Sequence, residues 1–435
     1  MEPEKNEGKM TSKKEPMFRN VRGMHDILPK DGGGWLAFFD AAREVSELHD
    51  FTFMETPLLE LTGLFEAGVG NTTDIVEKEM FSFKTKGKED VVLRPEGTAP
   101  IMRSFLLNHL GHFASPLRVC YTGPMFRYER PQAGRYRQFH QWGFEIIGDP
   151  DPFYDAEVIM ATLQVFYTLG LKDLQVKVNT VGCRVCRPTY RKKFQQYYMG
   201  QKKELCKDCL RRLEENPLRL LDCKVKECGE LRAGAPTILD HLCQNCNAHF
   251  RQTLEFLENN EVLYEPDPYL VRGLDYYSRT VFEVVRLGGA GTALAGGGRY
   301  DYLAELLGAG KSVPAIGAAI GIERALEYAA EEKISLKKKE KPGVFFVVVG
   351  DEAKKKSMAL MQTLRLGHVR VEECVGKKFM EHQMRAADKA KVKLTLILGQ
   401  RECFEDTVII RDMESGAQET VLAEKIVEEV KKRLK

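Results

Sequence analysis

The sequence lacks any segment that could enter a membrane or direct export. No run of apolar residues approaches the roughly eighteen that are needed to span a bilayer. The first sixteen residues, MEPEKNEGKMTSKKEP, have no apolar stretch and carry charges of both signs, unlike a secretory signal or an acid-free transit peptide. We therefore expect a flexible tail over residues 1–16 and a cytoplasmic protein with no membrane contact.

A net charge of one sign is also missing. The 65 Lys and Arg against 63 Asp and Glu leave a formal charge of +2 at pH 7, so no global positive field attracts nucleic acid. Contact with RNA would need local basic patches, such as Lys337–Lys339 or Lys377 with Lys378, for which solvated surface is the favoured interpretation. The 435 residues suffice for two or three domains, and no internal repeat divides them.

The first part of the chain, from Met17 to Leu171, alternates short strand-like and helix-like segments separated by turn residues. Helical periodicity covers Trp35–His49 and Ala156–Leu169, whereas Val91–Leu93 and Leu117–Tyr121 have the pattern of strands. The pattern predicts a mixed α+β domain.

This domain is interrupted by a segment of different character. From Cys183 to about Leu263 the sequence is charged and helix-prone, with cysteine pairs and no strand alternation. Strand-like sequence resumes at Tyr269 and continues through Gly296, and glycines in AIGAAIGIERALEYAA precede a further helix. We interpret the cysteine-rich segment as an insertion, after which the first domain is completed.

A second domain is predicted beyond KKKEKPG (Lys337–Gly343), whose charge, proline and glycine are typical of a linker. VFFVVV (Val344–Val349) has the pattern of a buried strand. Helix-like and strand-like segments then alternate as far as LTLIL. This alternation predicts a small α/β domain with a largely parallel sheet.

The densest polar segment is MFRYERPQAGRYRQFHQWGFEIIG (Met125–Gly148), which has four arginines within eleven residues. They are Arg127, Arg130, Arg135 and Arg137. Proline and glycine in the middle predict a loop between two antiparallel strands. Such a loop can be merely a solvated hairpin, but the planar guanidinium fork also suits phosphate.

The strand after this loop carries an unusual polar face. Because side chains alternate along a strand, Phe139, Gln141 and Glu145 share one face, on which Gly143 leaves a gap. The opposite face is apolar, so the polar one is expected to line a cleft.

Three further motifs are weak when taken alone. LRPEGTAP (Leu93–Pro100) leaves a strand and enters a helix. The favoured interpretation there has Thr98 capping the helix and Glu96 solvated near its positive end. GGGRYDYL and AIGAAIGIERAL contain glycine-rich turns before helices, which are often only structural.

Taken together and in order, these motifs resemble those of the histidyl-tRNA synthetases, a family of class II aminoacyl-tRNA synthetases, from Val21 to the C-terminus. The resemblance is carried by RGMHDILP, LRPEGT, FRYERPQAGRYRQFHQ, RGLDYYSRTVFE, GGGRYD and GIER. It implies an α+β catalytic domain with an antiparallel sheet over residues 17–336. A helical insertion (183–265) and a C-terminal α/β anticodon-binding domain (342–435) would complete the chain.

The same resemblance implies a reaction and its partners. L-Histidine is activated with ATP to histidyl-adenylate, pyrophosphate is released, and histidine is transferred to the 3′ end of its tRNA. Relatives are homodimers, and Mg²⁺ is expected on the outer phosphates of ATP.

The resemblance also assigns the nucleotide site. Arg127 would hold the α-phosphate and Arg324 the γ-phosphate of a bent ATP. Phe139 would stack on adenine, while Glu129 and Arg135 belong to the loop around the nucleotide and the tRNA end.

Histidine recognition is expected from a second group. Glu96, Thr98 and Gln141 fit the α-amino group, because carboxylate and amide oxygens accept hydrogen bonds from an ammonium. Tyr276 belongs to the same binding segment, RGLDYY.

The imidazole is expected to meet Glu145 and Tyr277. Its ring nitrogens donate and accept, so a carboxylate with a phenol can select it. An apolar side chain would leave both groups unpaired and would be rejected.

Arg272 begins the RGLDYY segment and, in the family, lies on the α-phosphate opposite Arg127. Arg272 also borders the histidine site. A fixed guanidinium there stabilises the charge that develops as the histidine carboxylate attacks. No side-chain base is needed, because that carboxylate is already ionised.

Eight of the eleven cysteines form four close pairs in the insertion: Cys183 with Cys186, Cys206 with Cys209, Cys223 with Cys228, and Cys243 with Cys246. CxxC followed by nineteen residues and a second CxxC has the spacing of a structural zinc site. The family does not require metal there. Two interpretations are therefore kept: the cysteines bind one or two Zn²⁺ ions, or they are simply buried thiols. Cys120, Cys374 and Cys403 stand alone and are expected in cores.

Two other functions compete with the synthetase reaction. A catalytically inactive synthetase-like regulatory subunit that senses histidine would keep the fold, but such proteins commonly lose the RGLDYY pattern and the anticodon domain. A stand-alone RNA-binding protein would not explain an intact amino-acid pocket.

Overall fold

The computed structural model describes residues 18–223, 225–288, 292–336, 343–376 and 379–434. The predicted tail, the basic residues Lys337–Lys339, Lys377 and Lys378, and all but the last residue of the predicted linker lie outside these ranges. The chain divides into two compact units, Met1–Leu336 (the first unit) and Lys337–Lys435 (the second unit).

The first unit contains strands and helices in alternation. Its strands are β1 (Thr52–Phe53), β2 (Leu59–Leu61), β3 (Phe81–Lys84), β4 (Asp90–Leu93), β5 (Leu117–Phe126), β6 (Gln138–Ile147), β7 (Leu174–Thr180), β8 (Tyr264–Pro266), β9 (Ser278–Arg286), β10 (Ala295–Arg299) and β11 (Ala315–Gly321). Its helices are α1 (Gly32–Leu48), α2 (Thr62–Gly68), α3 (Thr98–Leu107), α4 (Phe153–Thr168), α5 (Cys186–Met199), α6 (Lys207–Glu215), α7 (Lys226–Glu230), α8 (Gln244–Asn259), α9 (Leu303–Leu306) and α10 (Ile322–Glu331).

The main sheet of the first unit is antiparallel throughout its centre. In the described residues its strand order is β1-β5-β6-β11-β10-β9-β7-β8. Every neighbouring pair from β5 to β7 is antiparallel. The two edge strands, β1 and β8, run parallel to their neighbours, and β2, β4 and β3 form a small separate antiparallel sheet. The expected α+β fold with an antiparallel sheet is confirmed.

The two faces of the main sheet are both buried, against different helices. On one face, Phe144 of β6 packs in a core with Phe38 of α1. On the other, Tyr121 of β5 packs with Met102 of α3. Because side chains alternate along β6, Glu145 points away from the Phe144 face and toward the second one. The polar side chains of β6 therefore lie where α3 begins.

The cysteine-rich segment is helical. No strand occurs among the described residues between Cys183 and Leu263, where α5 to α8 are linked by short 3₁₀ turns, including Pro217–Asp222. The cysteines share a small core with Phe194, Tyr198 and Leu213. Because none of its described residues forms a strand that could join the sheet, this segment is stabilised largely by its own core.

The secondary structure predicted for the residues that follow the insertion was partly wrong. Tyr269–Tyr277 is not a strand, and β9 begins only at Ser278. The backbone there bonds to a turn at Asp267 and, through Asp275, to the end of α2, so no strand partner is available. AIGAAIG forms β11 itself, and the helix begins at Ile322.

The second unit contains a mixed sheet. Its elements are β12 (Val344–Val348), α11 (Asp351–Leu366), β13 (Val371–Glu373), α12 (Met380–Ala390), β14 (Leu394–Leu398), α13 (Gln400–Glu405), β15 (Thr407–Asp412), β16 (Gln418–Leu422) and α14 (Ile426–Leu434). β13, β12 and β14 are parallel, as predicted, whereas β15 and β16 add antiparallel pairs. The expectation of a largely parallel sheet is therefore wrong for its second half, because short connections after β14 reverse the chain.

Among the residues that the structure describes, none of the helices is both long and apolar enough to cross a membrane.

Candidate functional site

A cavity of about 480 Å³ opens in the first unit beside β6, β10 and β11. The predicted residues Arg127, Phe139, Gln141, Arg272 and Arg324 all line it, and so do Glu129 and Arg135. The remaining predicted residues lie in a buried polar cluster on the same face of the sheet. Arg130 is exposed, and Arg137 lies with its guanidinium 3.7 Å from the ring centre of Tyr128. These two arginines do not line the cavity.

Glu96 lies in the turn between β4 and α3. Its carboxylate accepts hydrogen bonds from the backbone N–H groups of Thr98 (2.7 Å) and Ala99 (2.8 Å), so a negative charge sits at the positive end of the helix. The side chain is only 4% exposed, and burial raises its pKa. The favoured sequence interpretation was therefore wrong: Glu96 is not solvated, and Thr98 is not the cap.

Glu145 is a fully buried carboxylate at the centre of the polar cluster. Thr98 Oγ1 donates to its Oε1 (2.7 Å), and the Tyr300 hydroxyl donates to its Oε2 (2.6 Å). Burial raises the pKa of Glu145 to about 8, against the lowering effect of these two hydrogen bonds. A Cβ at Gly317 would come within 1.5 Å of Oε2, so only glycine fits opposite this carboxylate.

Gln141 and Tyr121 complete this side of the cluster. The Gln141 Oε1 is buried and has no hydrogen-bond partner among the described residues, so it can accept a donor from a ligand in the cavity that it lines. The Tyr121 ring covers Gly97 and Gly143, where a Cβ would come within 2.2 and 2.1 Å of it. The gap that Gly143 leaves on β6 is therefore filled by Tyr121.

Tyr276 and Tyr277 follow the irregular segment before β9. The Tyr276 hydroxyl donates to Glu96 Oε2 at 3.2 Å, and its ring lies 5.8 Å from that of Tyr300. Tyr277 is 7% exposed and packs 4.8 Å from Tyr276, centre to centre. Three tyrosines and two carboxylates thus form one buried group.

Arg127 and Phe139 face each other where β5 ends and β6 begins. The Arg127 guanidinium lies 5.4 Å from the ring centre of Phe139 and donates from Nε to the Pro95 carbonyl (2.9 Å). In the loop between the strands, Arg135 lies 3.7 Å from Glu129. The contact with Pro95 connects the arginine loop to the turn that carries Glu96.

Arg324 is held at the start of α10. Its Nε donates to the Gly134 carbonyl and its Nη1 to the Ala293 carbonyl, both at 2.8 Å. Burial lowers the pKa of Arg324, and the neighbouring charges of Arg127 and Arg135 lower it further. A site that gathers three repelling guanidinium groups in one cavity is suited to a polyanion.

Arg272 lines the cavity beside β9 and β10. It pairs through Nη1 with Glu283 of β9, and its Nε has no partner among the described residues. Burial acts to lower its pKa, but Glu283 outweighs burial and the pKa is raised. A Cβ at Gly296 would approach the guanidinium to 2.6 Å, so the first glycine of GGGR makes room for this side chain.

Several site residues escaped the sequence analysis. Tyr300 lies within GGGRYD, and Glu283, which pairs with Arg272, lies in RTVFEV. Glu323 accepts from the backbone N–H and the Nδ1 of His140. Alternation along β9 could have placed Glu283 on a face, but nothing in the sequence shows which arginine it meets.

Residues that fit a hard cation are present in the cavity wall. Glu79 and Glu129 both line it. Burial raises the pKa of Glu79, and so does the neighbouring charge of Glu129. Two carboxylates that repel each other beside a phosphate-sized cavity are suitable ligands for Mg²⁺.

The cysteines of the insertion gather in two groups of four, Cys183, Cys186, Cys243 and Cys246, and Cys206, Cys209, Cys223 and Cys228. The sequence spacing had suggested that the first two CxxC pairs would share an ion. The structure separates them, because the first CxxC meets the last one. Cys120 is buried, as expected, whereas Cys374 and Cys403 are only partly buried.

Comparisons with known proteins agree over nearly the whole chain. The family model of histidyl-tRNA synthetase matches residues 23–192 and 200–325, and the model of an anticodon binding domain matches residues 343–433. A histidine--tRNA ligase of Natranaerobius thermophilus is 43% identical over 94% of this chain and 98% of its own. That of Halothermothrix orenii is 42% identical with the same coverage. The solved apo histidyl-tRNA synthetase of S. aureus has a TM-score of 0.79 and 34% identity, covering 95% of this chain and 99% of its own.

Proposed function

The chain belongs to the histidyl-tRNA synthetase family and has the activity of a histidine--tRNA ligase, and on this premise we propose how its residues perform that reaction. The enzyme activates L-histidine with ATP and transfers it to tRNA. Nothing favours the regulatory alternative, since the curated relatives are ligases. We propose catalysis within residues 17–336 and anticodon binding within 342–435.

The nucleotide would occupy the arginine-lined cavity. Arg127 and Arg272, which both line it, would bracket the α-phosphate, and Arg324 would hold the γ-phosphate. Phe139 would stack on adenine, with Glu129 and Arg135 around the nucleotide. Support comes from the unpartnered Nε of Arg272 and from the guanidinium groups that face the cavity.

Histidine would lie between this cavity and the buried polar cluster. Gln141 Oε1, which lacks a partner among the described residues, would accept from the α-ammonium, beside Glu96 and Thr98. Glu145 and Tyr277 would select the imidazole, with Tyr276 and Tyr300 fixing the carboxylates. The observation that carries this assignment is the buried Glu145 on the same face of the sheet as a cavity lined by five arginines.

The chemical step needs charge stabilisation more than proton transfer. The histidine carboxylate attacks the α-phosphorus, the bond to the pyrophosphate oxygen breaks, and negative charge grows on the α-phosphate oxygens. Arg272 is fixed by Glu283 and faces no reorganisation as this charge develops.

The bound partners follow from the reaction. Glu79 and Glu129 would hold Mg²⁺, which screens the charge of the outer phosphates. The insertion would hold structural Zn²⁺ through its cysteines, since thiolate sulfur is a preferred zinc ligand. Besides L-histidine and ATP, we propose tRNA for histidine as substrate, a homodimer as the working form and the cytoplasm as the location.

Histidine-dependent exchange of pyrophosphate into ATP tests the proposal. We expect exchange with the wild-type chain and a loss of about 2 to 4 kcal/mol of transition-state stabilisation in Arg272→Ala. Arg286→Ala, at the end of β9, is the matched control, because Arg286 pairs with Glu331 and Glu332 and does not line the cavity. Exchange in Arg272→Ala at the wild-type rate would show that Arg272 has no such role.

A further inference from the structure

The eight cysteines of the insertion are arranged as one group inside the other along the chain. The outer group joins Cys183 and Cys186 to Cys243 and Cys246, and the inner group joins Cys206 and Cys209 to Cys223 and Cys228. In each group the four sulfur atoms lie within 4.8 Å of one another. The outer group therefore closes the neck of the insertion, and the inner one lies within the loop so formed.

The sulfur spacings match a tetrahedral metal site. Cys183 lies 3.7 Å from Cys186 and 3.9 Å from Cys243, and Cys206 lies 3.9 Å from Cys223, each between sulfur atoms. Zinc–sulfur bonds of about 2.3 Å in a tetrahedron give sulfur–sulfur edges of about 3.8 Å. A disulfide requires about 2.05 Å, and all eight cysteines are free.

Backbone amides surround the sulfur atoms. Cys186 Sγ accepts from the N–H of Cys243 (3.1 Å), and Cys228 Sγ accepts from that of Cys206 (3.2 Å). Val185 likewise donates to Cys183 Sγ at 3.3 Å. Such donors stabilise thiolate charge, which four uncoordinated thiols would not require.

We propose that the insertion binds two structural zinc ions, one in each group, and that each ion positions a different part of the synthetase site. The positioning role of each ion rests on the proposed function. The ions themselves rest on the geometry of the sulfur atoms alone.

The outer group supports the histidine pocket. Arg187 follows Cys186 at the start of α5 and donates to the backbone carbonyl of Tyr277. Its Nε also donates to the Val181 carbonyl at 3.0 Å. A Cβ at Gly182 would come within 2.9 Å of Cys186, so the chain enters the group without room for movement. An ion here fixes Arg187, and through it the tyrosine that faces the imidazole.

The inner group supports the nucleotide cavity. Arg219 lies on the 3₁₀ turn that runs into Cys223, is 6% exposed and lines the cavity beside Arg272. Its Nη2 donates to Asp74 at 2.9 Å. Asn216 at the head of this turn donates to Asp275 at 3.0 Å. An ion here fixes the turn that closes the cavity wall.

Metal analysis of the full chain, purified without a histidine tag, tests the two ions. We expect two zinc equivalents per chain, one of which is lost in Cys209→Ser and the other in Cys246→Ser. Cys403→Ser, in the second unit, should retain both, and Cys246→His, which keeps a zinc ligand, should retain more than Cys246→Ser. Fewer than about half an equivalent in the wild type would overturn the proposal. A single equivalent lost in both serine variants would overturn the two-site arrangement.

Kinetics of pyrophosphate exchange test the separate roles. Cys246→Ser should raise KM for histidine about tenfold, and Cys209→Ser should raise KM for ATP by a similar factor, with smaller changes in kcat. Folding of each variant is checked by circular dichroism. If either variant fails to fold, chelation of the wild-type enzyme and re-addition of Zn²⁺ provide the same readouts. Unchanged KM values after zinc loss would overturn the positioning roles while leaving both the metal content and the enzyme activity measurable.

Discussion

At the scale of single residues, Glu145 combines the two demands that a histidine pocket makes. The carboxylate must accept a hydrogen bond from the substrate, yet the protein buries it completely, with hydroxyl donors from Thr98 and Tyr300. Burial raises its pKa to about 8. Between pH 4.5 and 8 the folded state therefore keeps a proton that the unfolded chain has released, and this group's contribution to stability declines as the pH rises.

Glu145→Gln should separate stability from activity. Because glutamine does not titrate, the free energy of unfolding at pH 8 should exceed that of the wild type by about 2 to 4 kcal/mol, and the difference should vanish toward pH 4.5. Histidine-dependent exchange should fall at least about a hundredfold. Denaturant titrations from pH 4.5 to 8.5, with the exposed Glu44→Gln as control, provide the measurement. If Glu145→Gln and the wild type had the same pH profile of stability, Glu145 would not have the raised pKa on which this prediction rests.

The sequence was more informative about which residues belong to the site than about which residues they contact. The face shared by Phe139, Gln141 and Glu145 follows from the alternation of a strand, and β6 has that geometry. The contact between Glu145 and Tyr300 spans 155 positions, and no local pattern encodes it. The expectation that Glu96 is solvated was wrong for the same reason, since its burial and its hydrogen bond from Tyr276 are tertiary effects.

At the scale of elements, helix α8 of the insertion packs against a buried ion pair beside the sheet. Arg299 of β10 and Asp155 of α4 are fully buried and paired with each other. His249 of α8 lies 3.8 Å from Asp155, and neither of its ring nitrogens has a hydrogen-bond partner among the described residues. Burial lowers the pKa of His249 to about 4. α8 therefore packs against this ion pair through a neutral histidine, while its Phe250 and Leu257 join the main core.

This histidine should destabilise the protein in mild acid. Below pH 6.5 the unfolded chain gains a proton that folded His249 does not, so stability is lost as the pH falls toward 4. His249→Phe should reduce the loss between pH 7 and 5 by up to about 2 kcal/mol. The loss of stability is measured as the difference between the free energies of unfolding at pH 7 and pH 5. His112→Phe, at an exposed histidine, is the control. An equally steep loss in His249→Phe and wild type would exclude this role.

Elements were predictable wherever periodicity was strong and failed where it was interrupted. α1, β4, β6 and β12 lie where the sequence indicated them. The run from Tyr269 contains strand-forming residues, but its backbone satisfies turns and loops instead. β15 and β16 were missed as antiparallel partners, because a strand's direction depends on connections that hydrophobic patterns do not describe.

At the scale of the whole molecule, every residue proposed to bind ATP or histidine lies in the first unit. A chain that ends at Leu336 should therefore retain histidine-dependent exchange within about tenfold of the wild type, since a compact unit with its own core can fold alone. Aminoacylation of tRNA should fall about a hundredfold or more, as expected for the loss of about 3 kcal/mol of binding contacts. Parallel assays of pyrophosphate exchange and of tRNA aminoacylation, on the truncated and the full chain, test this prediction. Loss of exchange in a folded truncated chain would mean that the second unit is needed for activation.

The nested cysteine groups also determine the order in which this part of the chain can be completed during synthesis. All four inner cysteines precede Cys243 in the chain and emerge from the ribosome before it. The inner ring between Cys206 and Cys223 spans 17 positions against 60 between Cys183 and Cys243. Closing the longer ring costs about 1 kcal/mol more in chain entropy, and a closed inner ring shortens the free length. Synthesis order and entropy thus act in the same direction. We therefore expect the wall of the nucleotide cavity to be assembled first and the neck that supports the histidine pocket to close last.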